Sequence, residues 1–137
     1  MNWLIYALGA ITAGAISDLF RKLGSNLHDP FFSNLVFQAG SFTTAIVLFF
    51  IFSRHIENNQ KGMLYAVIGG ILISIFTTFT FKALSSGPGV STVIPVIRVG
   101  AVLLVALLGV LLFKDKLTWN LVTGIILASI GVYLIFI

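Results

Sequence analysis

The side chains in this sequence that could do chemistry are polar groups set inside long apolar stretches, and Arg98 is the deepest of them. Arg98 lies eight residues past Val90, which is ~12 Å along a helix and near the midplane of a ~30 Å hydrocarbon core. An arginine there costs at least ~2.5–3.5 kcal/mol. Pro95 is expected to kink the helix and release a backbone carbonyl. Together, Arg98 and Pro95 predict a solvated binding region. The alternative is a structural role in which Arg98 forms an ion pair, for example with Asp18.

Two other apolar stretches carry polar side chains at helical spacing. Asn34 and Gln38 are separated by one helical turn, and Ser74, Thr78 and Lys82 repeat at i, i+4 and i+8. Each set therefore shares one helix face. Such faces are expected to meet around a cavity and not to face lipid. The alternatives are hydroxyls that bond to their own backbone, amides that join neighbouring helices, and a lysine that snorkels to the interface.

Asp18 is the one carboxylate of the sequence within an apolar stretch, and Arg21 and Lys22 follow it closely. It is interpreted either as half of a helix-end ion pair or as a site for a proton or ligand. The polar groups of the first four stretches lie mostly toward the same side of the membrane, which predicts one shared pathway. The predicted pathway residues are Asp18, Asn34, Gln38, Ser74, Thr78, Lys82, Ser91, Pro95 and Arg98.

The sequence lacks the residue sets that enzymes and metal sites need. It contains no cysteine, and His28 and His55 both fall between the apolar stretches without metal-ligand spacing. No Ser/His/Asp or paired-carboxylate set converges within the membrane. The sequence therefore predicts a protein that is not an enzyme and that uses no metal and no cofactor.

Five apolar stretches must position these side chains, and each contains 18 to 24 residues. About 20 helical residues cross a bilayer, and a backbone in lipid must satisfy its own hydrogen bonds, so the stretches are predicted to be helices. Short connections make successive helices antiparallel neighbours. The prediction is an all-α membrane protein, a single domain over 1–137 and an antiparallel bundle of five transmembrane helices. Their predicted bounds are about 3–20, 32–52, 63–84, 90–113 and 119–137.

Composition supports a location in the membrane. Hydrophobic residues make up 58% of the sequence and charged residues 9%, whereas a soluble domain has about 25% charged residues. The net charge of +4 comes from cations that lie mostly at predicted helix ends, where they contact lipid head groups. Membrane lipid is therefore a predicted partner, and nucleic acid is not.

The lysines and arginines are almost evenly divided between the two sides of the membrane. Cations in short loops set the orientation of a membrane protein. The N-terminal side holds four and the opposite side three: Arg54, Lys61, Lys114 and Lys116, then Arg21, Lys22 and Lys82. The small difference leaves two interpretations open, a single orientation or insertion of different copies both ways.

The last apolar stretch differs from the others because it contains the fewest polar groups. Gly124, Ala128 and Gly131 lie on one face of it at i, i+4 and i+7. Small side chains allow two helices to approach closely. This helix is therefore predicted to pack against other helices without lining the pathway.

A series of short motifs runs through the second half of the sequence. They are Ala83-Leu84, Gly87-Pro88, Pro95 with Arg98, Leu117-Thr118, Gly124 and Gly131. In this order, and together with the stretch Trp3–Gly24, which is similar to the opening helix of the repeat, they resemble the EamA-like unit of the drug/metabolite transporter superfamily. Asp115 stands where the family pattern usually has Glu. Most members carry two such units in inverted orientation, whereas this sequence carries one.

The resemblance implies a secondary transporter of small organic solutes that works by alternating access in a prokaryotic cell (inner) membrane. It also implies one inverted-repeat unit of a ten-helix fold, completed by an antiparallel homodimer or by a heterodimer with another half-size unit. The predicted pathway contains two cations, Lys82 and Arg98, and one carboxylate, Asp18. This excess of positive charge favours anionic, zwitterionic or neutral solutes over cationic ones. The alternatives are a subunit of a lipid-linked sugar flippase and a non-transporting helper subunit of a membrane complex.

Overall fold

The structure, a computed structural model, describes residues 2–53, 59–116 and 118–135, and none of these residues is in a strand. The helices are α1 (Asn2–Ser25), α2 (Pro30–Phe52), α3 (Gln60–Ser86), α4 (Val90–Phe113) and α5 (Trp119–Ile135). All five predicted stretches contain a helix, which confirms the all-α prediction. Arg54, His55, Leu117 and the predicted end of the last helix at 136–137 lie outside the described residues.

The helices have the length and composition of membrane spans. Four of the described helices, α1 to α4, are long and apolar enough to cross a membrane, and α5 is apolar but shorter. The described part of α5 has 17 residues, which is the lower limit for a crossing of about 17–25 residues. The chain is therefore an all-helical, multi-pass membrane protein.

The ends of the helices differ from their predicted bounds most clearly in α1. This helix continues to Ser25, five residues past the predicted end at Phe20. The extra turn contains Arg21 and Lys22, which are good helix formers, and Arg21 pairs with Asp18 one turn earlier. Apolar character marks where a helix leaves the hydrocarbon, whereas the backbone continues as long as its side chains favour a helix. In contrast, α4 has the predicted bounds.

Two helices begin with side-chain caps. The Asp29 carboxylate accepts hydrogen bonds from the backbone N–H groups of Phe31 and Phe32, at 2.9 and 3.2 Å, and Pro30 occupies the start of α2. This combination satisfies amides that have no partner within the helix. At the start of α5, the Thr118 hydroxyl accepts from the backbone N–H of Leu121 at 3.3 Å.

The described residues divide into two compact units, and the first contains α1, α2 and α3. Lys22 near the end of α1 donates to the backbone carbonyl of Leu84 near the end of α3, so these two helices run in the same direction. Asn34 near the start of α2 bonds Thr78 near the end of α3, so α2 runs the opposite way. Contact is concentrated at this end, since every described residue of 39–53 and 59–73 is exposed.

The second unit contains α4 and α5. The two helices pack against each other through aliphatic side chains, among them Leu107, Val110, Leu121 and Ile125, which line one cleft. Lys114 ends α4 in the left-handed region at φ 55°, and its N–H bonds to the carbonyl of Gly109. A left-handed residue at this place closes the last turn of many helices. One domain over 1–137 stays a prediction.

Candidate functional site

The predicted polar faces of α2 and α3 meet directly. The Asn34 amide donates to the Thr78 hydroxyl at 2.7 Å, and the Asn34 carbonyl accepts from the Thr77 hydroxyl at 2.7 Å. The Gln38 amide donates to Thr77 at 3.2 Å. Asn34 is 8% exposed and Thr77 is 2% exposed. These contacts form a polar clasp, defined here as Asn34, Gln38, Thr77 and Thr78, which joins the two helices within the first unit.

The clasp supports the interpretation of Asn34 and Gln38 as links between helices in the conformation described. The Asn34 side chain bonds through both its donor and its acceptor. The Thr78 hydroxyl also donates to the carbonyl of Ser74 at 2.9 Å, and the Thr77 hydroxyl, whose single proton bonds Asn34, lies 2.9 Å from the same carbonyl. The threonines can therefore keep a hydrogen bond when the amide moves away, whereas Asn34 then needs water or a solute. Ser74 contributes its backbone to the clasp.

The energy of the clasp is measurable by a double-mutant cycle. Asn34→Ala is expected to destabilise the protein by about 1–2 kcal/mol, because it removes two interhelical hydrogen bonds. Thr78→Ala should cost less, and the coupling energy of the pair should be about 0.6–1.7 kcal/mol. Unfolding in detergent micelles gives these values.

Thr43→Ala is the matched control, because the Thr43 hydroxyl is exposed and bonds only within its own helix at 2.9 Å, to the carbonyl of Ala39. Its expected effect is below about 0.5 kcal/mol. Equal losses in Asn34→Ala and Thr43→Ala, with no coupling between Asn34 and Thr78, would contradict the clasp.

Asp18 is part of a buried ion pair on α1. Its carboxylate accepts from the Arg21 guanidinium at 3.1 Å, and the two residues are 4% and 9% exposed. The guanidinium carbon lies 4.4 Å from the centroid of the Phe37 ring on α2, a distance at which a cation is attracted to an aromatic face. The predicted ion pair with Arg21 is therefore present. A proton or ligand role for Asp18 stays a prediction.

Breaking this ion pair should be costly. Asp18→Ala leaves the Arg21 charge buried beside Phe37 without its carboxylate and is expected to lower the free energy of unfolding by roughly 3 kcal/mol. The double variant Asp18→Leu with Arg21→Met removes both charges and should recover most of that loss. Thermal unfolding in detergent measures both. A double variant as unstable as the single one would show that the pair holds the unit through something other than its charges.

Several polar residues that join the helices were absent from the predicted pathway. Lys22 binds the carbonyl of Leu84 in the last turn of α3, where a cation complements the helix dipole. The Ser33 hydroxyl donates to the carbonyl of Gly24 at 3.3 Å. Thr80 is also buried, but its hydroxyl donates to the carbonyl of Phe76 within α3 at 2.9 Å. Lys22 was visible in the sequence as a cation at a helix end, but its acceptor is a backbone atom 62 positions away, which no side-chain pattern indicates.

The remaining predicted pathway residues lie outside the clasp, on α3 and α4. Lys82 is exposed on α3, and Ser91 and Arg98 are exposed on α4, which continues through the half-buried Pro95. The α4 span has the highest mean hydropathy of the candidate spans, 2.7, so Arg98 sits in the most apolar of them. Ser91, Pro95 and Arg98 belong to the second unit. A single pathway formed by all nine residues stays a prediction.

The small-residue face of α5 makes no close contact with α4. Gly124 and Gly131 are exposed, and no described atom lies within 4 Å of the place where a Cβ would stand on either one. Ala128 is half-buried. The face through which α5 meets α4 instead contains Leu121 and Ile125. The predicted close helix contact at Gly124 and Gly131 is thus not made within the second unit.

The fold and these contacts define a class: a multi-pass helical membrane protein whose described residues contain no group of three or more His, Cys, Asp or Glu that could hold a metal ion. The family follows from comparison with known sequences. A sequence model of the EamA-like transporter family matches residues 1–137. The chain therefore belongs to the EamA-like transporter family, which confirms the resemblance read from its motifs.

A similar protein is known from Methanocaldococcus jannaschii, where it is described as uncharacterized. It is 29% identical over 132 residues, which cover 92% of this chain and 95% of that protein. The two chains therefore match over nearly their whole lengths. No solved structure matches the chain significantly.

Proposed function

We propose that this protein is a secondary transporter of small organic solutes that works by alternating access as a dimer of two inverted units in a prokaryotic cell membrane. The observation that carries the proposal is the match to the EamA-like transporter family over residues 1–137. Transporters with inverted repeats bind their solutes near the bilayer midplane, where two units meet. One unit supplies half of such a site, and a second copy or another half-size unit supplies the rest.

The arrangement of the first unit supports alternating access. Its buried polar contacts lie at one end of α2 and α3, and every described residue of 39–53 and 59–73 is exposed. Such a unit can open at the clasp, because Thr78 keeps its bond to the Ser74 carbonyl and Thr77 can turn its hydroxyl from Asn34 to that carbonyl. Asn34 then exchanges its threonine partners for a solute or water. In this proposal, the clasp is the element that changes between two arrangements, as such a mechanism needs.

The charges of the pathway indicate the chemistry of the solute. The predicted pathway contains two cations, Lys82 and Arg98, and one carboxylate, Asp18, so its side chains carry an excess of positive charge. The proposed solute is therefore anionic, zwitterionic or neutral and polar. A carboxylate or phosphate group would bind Arg98 through two parallel hydrogen bonds. No catalytic step is part of this function.

The proposal is tested by counterflow in proteoliposomes. Purified protein is reconstituted with one unlabelled amino acid, organic acid or sugar inside at a time, and uptake of the same radiolabelled solute is measured. Saturable uptake of at least one solute, absent from empty liposomes, is the expected result. Movement of a lipid-linked sugar without uptake of any soluble solute would favour the flippase alternative. No movement of either by folded protein would favour a helper subunit.

The dimer predicts a role for the exposed small-residue face of α5. Gly124→Leu with Gly131→Leu meets no described atom of its own chain but would crowd a partner helix, so dimerisation should weaken by about tenfold. The control is Gly9→Leu with Gly69→Leu, which changes two exposed glycines of other helices that are equally open. Single-molecule photobleaching in liposomes counts the subunits. An assembled and active Gly124/Gly131 variant would contradict this prediction.

A further inference from the structure

The first unit contains a cleft that none of the nine predicted pathway residues lines. It has a volume of about 350 Å³ and lies between the last turns of α1 and the first turns of α2. Most of its wall is apolar: Phe20, Phe32, Val36, Phe37 and Phe81. Four aromatic rings and a valine around one space make a surface that favours a hydrocarbon ligand.

The two polar side chains of the inner cleft, Arg21 and Ser33, each have a partner within the protein. The Arg21 guanidinium bonds Asp18 at 3.1 Å and lies over Phe37. The Ser33 hydroxyl donates to the carbonyl of Gly24 at 3.3 Å. Both side chains therefore bond within the unit, and the rest of the inner wall is apolar, which suits an apolar chain.

One polar side chain of the lining stays at the surface. His28 lies in the connection between α1 and α2, is exposed, and places its ring edge-on to Phe32 with 5.6 Å between the ring centroids. It therefore offers an imidazole to a head group at the end of the cleft where α1 passes into α2.

The depth of the cleft matches the outer part of a lipid acyl chain. Phe37 is seven residues past the first residue of α2, Pro30, which is ~10 Å along the helix. The cleft therefore extends from the end of two membrane spans into the outer hydrocarbon layer. Phe20, Phe32 and Val36 are exposed on these spans, so the cleft continues the surface that faces the membrane.

We propose that this cleft binds one acyl chain of a membrane phospholipid, whose head group lies beside His28. The chain packs against Phe32 and Val36 on α2 and reaches Phe81 on α3. Gly24 lines this space without a side chain; a Cβ at this position would be in ordinary van der Waals contact with the Phe81 ring, at 3.9 Å, and a longer side chain would take up part of the cleft. A bound lipid would fill the gap between α1 and α2 and hold the first unit together at its polar end.

The test uses phosphatidylcholine that carries a photoreactive diazirine on one acyl chain, reconstituted with the full-length protein. After illumination, mass spectrometry of proteolytic peptides locates the label. The expected result is a maximum at the cleft peptides of α1 and α2, well above the label on the exposed half of α2 around Phe49. Gly24→Leu should lower the cleft label by roughly tenfold, because displacing about two methylenes from the cleft has that effect on occupancy.

Gly40→Leu is the matched control, since Gly40 is an exposed glycine of α2 with no described atom within 4 Å of a Cβ position. It should leave the cleft label unchanged. Circular dichroism checks that each variant is folded, and Val36→Trp fills the cleft from its exposed rim if Gly24→Leu does not fold. Equal labelling of cleft and control peptides overturns the proposal. So does a cleft without lipid label that instead cross-links to a second copy of the chain.

Discussion

Arg98→Ala is expected to reduce solute transport by roughly ten- to hundredfold while leaving the protein folded. A charge-assisted hydrogen bond to a ligand contributes about 1.5–3 kcal/mol, which corresponds to this range. The side chain is exposed on α4, so its removal creates no cavity within the described chain. Its position ~12 Å into the span places it near the membrane midplane, where transporters with inverted repeats bind their solutes. Initial rates of counterflow in proteoliposomes measure the effect.

Two further variants separate a role in transport from a structural role of Arg98. Arg98→Lys keeps the charge and loses the bidentate geometry, so a partial rate is expected. Arg98→Cys should react with a thiol reagent that is soluble in water and does not cross the membrane. Lys116→Ala is the matched control, because it removes an exposed cation outside the helices and should transport normally. A normal rate in Arg98→Ala, with Arg98→Cys unreactive in every state, would assign the residue a structural role.

The helical architecture was readable from the sequence because the membrane imposes it. A run of about 20 apolar residues must be a helix, whatever its neighbours are. The bounds of α4 were predicted to the residue, since Gly89 precedes it and charged residues follow it. The end of α1 was not, because Arg21 and Lys22 are hydrophilic and still helical. Hydropathy reports the edge of the hydrocarbon, and the last turn of a helix depends on its own ion pairs and caps.

The polar contacts were only partly predictable. Helical spacing placed Asn34 and Gln38 on one face, and the structure confirms that this face meets α3. Spacing did not show that Thr77, which is adjacent to the predicted stripe, would accept from Gln38. Two adjacent residues of a helix, such as Thr77 and Thr78, point in directions that differ by about 100° around the helix axis. The angle at which α2 and α3 cross decides which of the two side chains lies between the helices. Which partner an amide chooses is therefore a property of the packed pair.

The two units explain why the pathway itself stays a proposal. Asn34, Thr78 and Asp18 belong to the first unit, and Pro95 and Arg98 belong to the second. Each unit follows from local physics: a polar clasp in one, an aliphatic hairpin in the other. A binding site that uses both depends on contacts over long distances, and in an inverted-repeat transporter on a second unit as well. The sequence pattern of one unit does not identify the second unit that would complete the site.

A variant that inserts into the membrane in only one orientation should lose transport. Co-expression of two variants that insert in opposite orientations should restore it. The four cations on the N-terminal side and three on the other permit insertion both ways. Ser85→Lys with Ser86→Lys adds two charges to the second side. Both serines are exposed at the end of α3, and their hydroxyls bond only within that helix, to the carbonyl of Lys82. Lysines at this place also complement the helix dipole, so the variant should fold.

The variant expected to insert in the opposite orientation is Gln60→Lys with Asn120→Lys, which adds two positive charges at exposed positions on the N-terminal side. A C-terminal reporter of sidedness should give comparable signals on both sides for the unchanged chain and one side for each variant. Each variant alone lacks an inverted partner, so its counterflow should fall at least about tenfold, to the background of unpaired units. Co-expression of both should return it toward the original rate, because the antiparallel dimer needs one unit of each orientation. Full activity from a chain with a single native orientation would exclude the antiparallel homodimer, and a heterodimer with another half-size unit would then supply the inverted half.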